Sequence, residues 1–435
     1  MNVGFVQDFT VVLLVAGITG AICRRLGASV TIGYLIAGII VGPYTPPVDL
    51  VTDIESIHTL SHLGLIFLMF ATGMGLSFKK IAQLGTGLLV AVAVCAVTLV
   101  LLLRAGGALL NLDPLTPLFI AGMLISSSSA IISRILHEGG LIHQIPGRLA
   151  MTWTLLEDLA AIILFSMVGA YVVAEKAPIL REAGAFFAFM VLAGIIALLF
   201  VPRFLRVIQR NLQSELQTLL VAGLLCLLAV LATHAGYSPA LGAFLLGLII
   251  ASTPQRNAID RTFSGLNDVF SAIFFVSIGM LIDVRVLINP WLLLAMPVLA
   301  IAAILFRMTT VSTGMFIAGY RKKIAIPAML TLTVTGEFSF IFAQLGVERK
   351  VLPDEARALA VGICILTAAF TSFVVPRGER ISLWLQTRWP RALSRFAESW
   401  RNFVHSLFNG STPPEIRRAG QIRFFQIGLE VLSVA

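Results

Sequence analysis

Thirteen apolar runs, most of them near the length needed to cross about 30 Å of hydrocarbon, follow one another along this chain with short loops between them. They fall near residues 8–24, 29–43, 59–77, 85–110, 116–137, 148–174, 183–207, 215–235, 238–252, 265–283, 289–318, 324–346 and 355–376. With 58% hydrophobic residues, only 12% charged ones and a mean hydropathy of +0.96, the solvent for such a chain is lipid. An all-α polytopic membrane protein of about 13 transmembrane helices is expected. The opening "MNVGFVQDFTVVLLVAG" has no basic stretch and no convincing cleavage site, so the first run is expected to stay as a helix. The formal charge of +9 does not call for a nucleic acid, because the basic residues sit in short loops and in the tail, where orientation and lipid headgroups account for them. Cys23, Cys95, Cys226 and Cys364 lie in separate runs and suggest neither disulfides nor a metal knuckle.

Loops that remain in the cytoplasm carry the excess of Lys and Arg. Alternate loops hold fourteen such residues, among them Arg24, Lys79, Arg134, Arg203, Arg256 and Arg321, and the opposite loops hold seven. The N-terminus is therefore expected outside and the C-terminus in the cytoplasm, which an odd number of spans permits. Thirteen spans divide as six, one linker and six, and the two sixes then run in opposite directions, as in the inverted repeats of secondary transporters. On this reading residues 1–376 form the membrane domain, with repeat one at about 8–174, a linker helix at 183–207 and repeat two at about 215–376. Residues 377–435 form a basic amphipathic cytoplasmic tail, whose apolar end "FFQIGLEVLSVA" begins another span or marks a truncation.

Corresponding fifth helices of the two halves carry polar interruptions at mid-span, "LISSSSAIIS" at Leu124–Ser133 and "LTVTGEFSF" at Leu332–Phe340. Ser, Thr and Gly compete with helical hydrogen bonding, so both helices are expected to unwind at the bilayer centre. Close packing of small residues is the plainer reading of the Ser run.

Four ionisable residues lie at mid-membrane, Glu157, Asp158, Arg307 and Glu337. Each costs roughly 2.5–3.5 kcal/mol at a helix centre if nothing pairs with it. Counting outward from the expected turns near residues 142 and 322 sets Ser126, Asp158, Arg307 and Glu337 in one layer, about 20 Å from those turns by helical rise. Adjacent helical positions point about 100° apart, so Glu157 and Asp158 cannot serve one cage. Arg307 can grip a carboxylate bidentately and does not lose its charge, which makes it a permanent counter-ion. If it pairs with Glu157, the two form a fixed strut, Asp158 alone cycles between a proton and a cation, and exchange is one for one and electroneutral. Ser127 and Ser128 are expected to offer oxygens near the ion, and Glu337 to act as a counter-ion or to cap a broken helix. A mid-membrane carboxylate among oxygen donors suits a proton and a small monovalent cation in competition, so the expected function is a transporter's, with no enzymatic step. No Walker motif appears, and no cofactor is called for. A passive cation channel is the alternative, followed by a non-transporting membrane sensor.

In order along the chain, "RLGASVTIGYLIAGIIVGP", "LVTDIESI", "SSSSAI", "GRLAMTWTLLEDLAAI", "LGAFLLGLIIAS", "FFVSIGMLID" and "TGEFSF" resemble the membrane domain of the monovalent cation:proton antiporter-2 family, including the Kef-type antiporters. The resemblance covers about residues 8–376. It implies Na⁺/H⁺ or K⁺/H⁺ antiport across a plasma or bacterial inner membrane, a homodimer, and a mobile core domain carrying crossing broken helices. By position it makes Asp158 the ion-binding aspartate, Arg307 the basic residue that is usually Lys, and Glu337 the acid of the second broken helix. Three departures stand out: Glu-Asp in place of the usual Gln-Asp or Asp-Asp, Arg in place of Lys, and a tail without the G-x-G-x-x-G of an appended nucleotide-binding domain.

Overall fold

A computed structural model describes residues 3–25, 29–45, 54–75, 86–173, 214–282 and 289–378, with scattered positions at 188–203 and 380–383. The linker helix expected at 183–207 and the tail at 377–435 lie largely outside the described residues. Fourteen α-helices are found among them: α1 Val3–Arg25, α2 Val30–Val41, α3 Ile54–Gly75, α4 Thr86–Leu109, α5 Leu115–Ile125, α6 Ser129–Glu138, α7 Ile145–Val173, α8 Ser214–His234, α9 Pro239–Ala251, α10 Arg256–Met280, α11 Pro290–Ile317, α12 Lys322–Thr331, α13 Phe338–Glu348 and α14 Glu355–Val374. Among the described residues no strand accompanies them beyond one isolated bridge. α10 starts nine residues before the expected span, so Arg256 and Arg261 belong to its first turns and not to a loop. Hydropathy trimmed those turns because they also carry Asn257 and Asp260.

The helices group into two compact units, neither of which follows the division of the chain into halves. One draws on residues 1–83, 161–296 and 340–361 and the other on 84–160, 297–339 and 362–435.

In the first unit α3, α9 and α10 form the centre. α9 has only thirteen residues, about 20 Å of rise, too short for the bilayer. Every residue from Ala240 to Ala251 is buried, so protein and not lipid surrounds it. Pro239 at its first turn and the Ser238 hydroxyl, which accepts from the Ala240 amide at 3.2 Å, fix where it starts. α3 meets α9 through Gly73 and Gly247, where a Cβ would overlap the carbonyl oxygens of Phe244 and Phe70 respectively. Phe67 stacks on Phe270 at 4.1 Å, joining α3 to α10. Val12 and Ala16 of α1 pack with Ala37 and Val41 of α2 and with Val276 and Met280 of α10.

In the second unit α4 packs on α5, and α11 approaches α4 at Gly314, where a Cβ would overlap the Ala91 carbonyl oxygen. Both polar stretches interrupt their helices at the expected places. The first span is split into α5 and α6 by Ser126–Ser128, whose backbone is extended at Ser126 (φ −111°, ψ 143°) and Ser128 (φ −73°, ψ 103°). The second is split into α12 and α13 by residues 332–337. Each half-helix of ten or eleven residues rises about 15–17 Å, half a bilayer.

Candidate functional site

The two interruptions pair with each other. Ser127 and Thr335 form an antiparallel bridge, and the Gly336 amide donates to the Ser126 carbonyl at 2.8 Å. A Cβ on Gly336 would stand 2.8 Å from Ser126 Oγ and 2.8 Å from the Ser127 carbonyl carbon, so only glycine allows this approach.

A broken helix leaves carbonyls without partners at the end of its first half. Arg307, fully buried on α11, supplies the donors for both breaks. Its Nη1 donates to the Ile125 carbonyl at 3.0 Å, and its Nε and Nη2 donate to the Leu332 carbonyl at 3.1 and 2.9 Å. A guanidinium at two helix C-termini is also favoured by their dipoles. Such a charge needs an anion, and Glu157, 1% exposed, provides it. Arg307 Nη2 donates to Glu157 Oε1 at 2.7 Å and to Oε2 at 2.9 Å. The pair is therefore held through a single nitrogen that spans both oxygens. The bidentate fork expected from the sequence is absent because Nε and Nη1 are committed to the carbonyls.

Glu157 is filled further. Its Oε2 accepts from the Ser127 amide at 3.0 Å and from the Ser127 hydroxyl at 2.7 Å, and its Oε1 accepts from the Trp153 indole at 2.8 Å. Ser127 Oγ also accepts from Arg307 Nη2. Asp158 is less enclosed and has fewer partners than its neighbour. It is partly exposed, and Oδ1 accepts from Ser126 Oγ at 2.7 Å. Glu337 is also partly exposed, directly precedes α13, and lies within electrostatic reach of Asp158. No hydrogen-bond donor among the described residues reaches its carboxylate, and it is not paired with Arg307.

The predicted residues thus come together, with roles redistributed among the serines. Ser127 belongs to the Glu157–Arg307 cluster, Ser128 caps α6 by accepting from the Ile131 amide at 3.5 Å, and the hydroxyl on Asp158 is that of Ser126. Trp153 was not foreseen, although its spacing of four residues before Glu157 puts it on the same helical face. Thr367 and Thr371 of α14, which grip the second interruption, carried no signal beyond their occurrence in an apolar helix. A cavity of about 350 Å³ within the first unit, lined by Ser61, His62, Tyr237, Gln344 and Glu348 among others, contains none of the predicted residues.

Half-helices whose breaks pair around a buried charge, in an all-helical chain of many apolar spans, define the class of polytopic membrane proteins to which secondary transporters belong. The chain belongs to the sodium/hydrogen exchanger transmembrane family, which it matches over residues 10–377. It is 30% identical over 372 residues to a protein named as a cation/proton antiporter, YbaL of Escherichia coli (strain K12), the match covering 82% of this chain and 65% of YbaL. It is 25% identical to K(+) efflux antiporter 5 of Arabidopsis thaliana, over 85% of this chain and 66% of that one. The chain thus spans somewhat less than two thirds of the length of these relatives. The fold is also that of the sodium proton antiporter MjNhaP1 of Methanocaldococcus jannaschii, with a TM-score of 0.64, 15% identity, and coverage of 86% of this chain and 97% of that one.

Proposed function

We propose that the protein is a secondary antiporter that exchanges a monovalent cation, Na⁺ or K⁺, for protons by alternating access. The observation that carries this reading is the unequal treatment of two adjacent carboxylates. Glu157 is saturated by Arg307, Ser127 and Trp153, whereas Asp158 holds one hydroxyl and keeps open acceptor capacity toward accessible space. A carboxylate with spare lone pairs binds either a proton or a hard cation, and competition for one group couples the two fluxes. Ser126 Oγ, which donates to Asp158, and the carboxylate of Glu337, within electrostatic reach of it, offer further oxygens for the cation. Arg307 occupies Glu157 as its ion-pair partner, so of the adjacent pair Asp158 is the carboxylate left to carry the proton, and exchange is one for one.

The names of the relatives include K⁺ efflux, and that of the structural neighbour Na⁺, so both ions belong in the test. We further infer an inverted-repeat arrangement of two six-helix halves, a homodimer in lipid, the N-terminus outside and the C-terminus in the cytoplasm, in a plasma or bacterial inner membrane. The positive-inside asymmetry supports the orientation, and the position of one interruption in each half supports the repeat.

Proteoliposomes with an entrapped pH dye test the reading: addition of Na⁺ or K⁺ should drive proton movement against an imposed gradient. Current without proton movement would instead identify a cation channel. A diffusion potential set with K⁺ and valinomycin during Na⁺/H⁺ exchange then tests stoichiometry. Proton flux independent of the potential is expected, and a strong response would return a second carboxylate to the proton cycle.

A further inference from the structure

The second interruption is held from a side that the ion chemistry does not touch. Residues 332–336 are buried, and although the Leu332 amide still donates to the Ala328 and Met329 carbonyls of α12, the backbone groups beyond it need partners that the broken helix no longer supplies. The Gly336 amide finds Ser126, and the Thr335 amide finds Thr367 of α14, donating to its Oγ1 at 3.2 Å. Thr335 Oγ1 lies 3.2 Å from the same oxygen. Thr367 Oγ1 donates to the Cys364 carbonyl at 3.1 Å. A hydroxyl has one proton and two lone pairs. Thr367 Oγ1 thus accepts from the Thr335 amide, and it lies against the Thr335 hydroxyl in a contact that either oxygen can donate. One turn on, Thr371 Oγ1 donates to the Thr367 carbonyl at 2.7 Å and meets Thr333 Oγ1 at 3.0 Å. All four threonines are fully buried.

We propose that Thr367 is a positioning residue for the exchange reaction: by accepting from Thr335 it sets the register of the second interruption, and through it the hydroxyl that faces Asp158. The route is short. Thr335 is bridged to Ser127, the next residue, Gly336, donates to the Ser126 carbonyl, and Ser126 Oγ donates to Asp158. Thr367 contacts none of the ionisable groups in the hydrogen-bond network, so its effect must travel through the paired interruptions. The inference rests on the exchanger reading above.

Thr367→Val keeps the shape and removes both lone pairs, leaving the buried Thr335 amide without an acceptor. Thr367→Ser keeps both. In proteoliposomes the Val variant should raise the apparent KM for the cation roughly tenfold, the scale of one orphaned buried donor, with a smaller change in maximal rate and a displaced pH profile. The Ser variant should stay within about twofold of wild type on every measure. A purely structural role would lower the amount of active protein and leave KM and the pH profile unmoved. Thr367→Ala, which adds no methyl against the Thr335 amide, replaces the Val variant if that one does not fold. Failure of both to fold assigns Thr367 to stability alone and overturns the proposal. So does a folded Val or Ala variant with wild-type KM and pH profile while wild type exchanges and Asp158→Asn does not. Wild-type liposomes that show no exchange overturn the exchanger reading, and this proposal with it.

Discussion

Replacing Glu157 by Gln changes one atom and should cost more than any other isosteric change in the second unit. The carboxylate accepts from Arg307 Nη2 at both oxygens, from the amide and hydroxyl of Ser127 at 3.0 and 2.7 Å, and from the Trp153 indole at 2.8 Å. An amide has a single acceptor oxygen. If its nitrogen takes the place of Oε1, the Trp153 indole is orphaned; in the place of Oε2, it orphans the Ser127 amide, while the Ser127 hydroxyl can turn to the Leu332 carbonyl at 3.2 Å. One neutral donor left unpaired costs about 1–3 kcal/mol. The larger effect is on Arg307, whose charge would stay fully buried with no anion, at about 3–5 kcal/mol. Such a loss should lower the thermal midpoint of purified protein by on the order of 10 °C.

Size alone does not prove the cause, so a double-mutant cycle is needed. Arg307→Met leaves the buried Glu157 carboxylate uncompensated, strands the Ile125 carbonyl, and leaves the Leu332 carbonyl with only the Ser127 hydroxyl at 3.2 Å. Combining Arg307→Met with Glu157→Gln removes the stranded carboxylate. The double variant should therefore melt above the Arg307→Met variant, with a coupling of about 2–3 kcal/mol between the two changes. Thermal unfolding followed by fluorescence-detected size exclusion reads all four proteins. Additive losses, or a Glu157→Gln midpoint within about 2 °C of wild type, would refute the argument that the pair is a mutually dependent strut.

Asp158→Asn should abolish cation-dependent proton movement while leaving the thermal midpoint near that of wild type, because Asn keeps the contact with Ser126 and cannot exchange a proton; residual activity above about a tenth of wild type would remove Asp158 from its central place. In wild type the apparent KM for the cation should rise as pH falls, approaching about tenfold per pH unit once Asp158 is mostly protonated, since the proton occupies the group that the cation needs. Ser126→Ala should raise the cation KM without loss of stability, whereas Ser127→Ala should act chiefly on stability, because Ser127 serves Glu157 and Arg307; the opposite pattern, read from KM and melting midpoint together, would reverse the assignment of the two hydroxyls.

Hydropathy and side-chain chemistry made the class of this protein and its two interruptions legible, because lipid forbids loose polar atoms and so leaves every exception conspicuous. Counting helical rise from the expected turns brought Arg307 to the depth of Asp158 and so of its neighbour Glu157. It did not say which of two adjacent carboxylates Arg307 would take, since a 100° step around α7 decides that only once α11 is in place. The Ser run was harder still. In an extended segment successive side chains point to opposite sides, so Ser126 faces Asp158 and Ser127 faces Glu157, and a break displaced by one residue would exchange them. Four identical residues carry no mark of where that alternation begins. Thr367 was invisible for a different reason. A Thr in a helix normally bonds back to its own backbone, as this one does to Cys364, and the sequence cannot show that its lone pairs are used elsewhere. The residues that give the chain its charge chemistry were thus readable one at a time, but those that hold the geometry act through lone pairs and backbone groups that any Ser or Thr possesses. Which of them matters is set by the pairing of two interruptions more than 200 residues apart, and that pairing depends on Gly336 having no side chain to keep them apart.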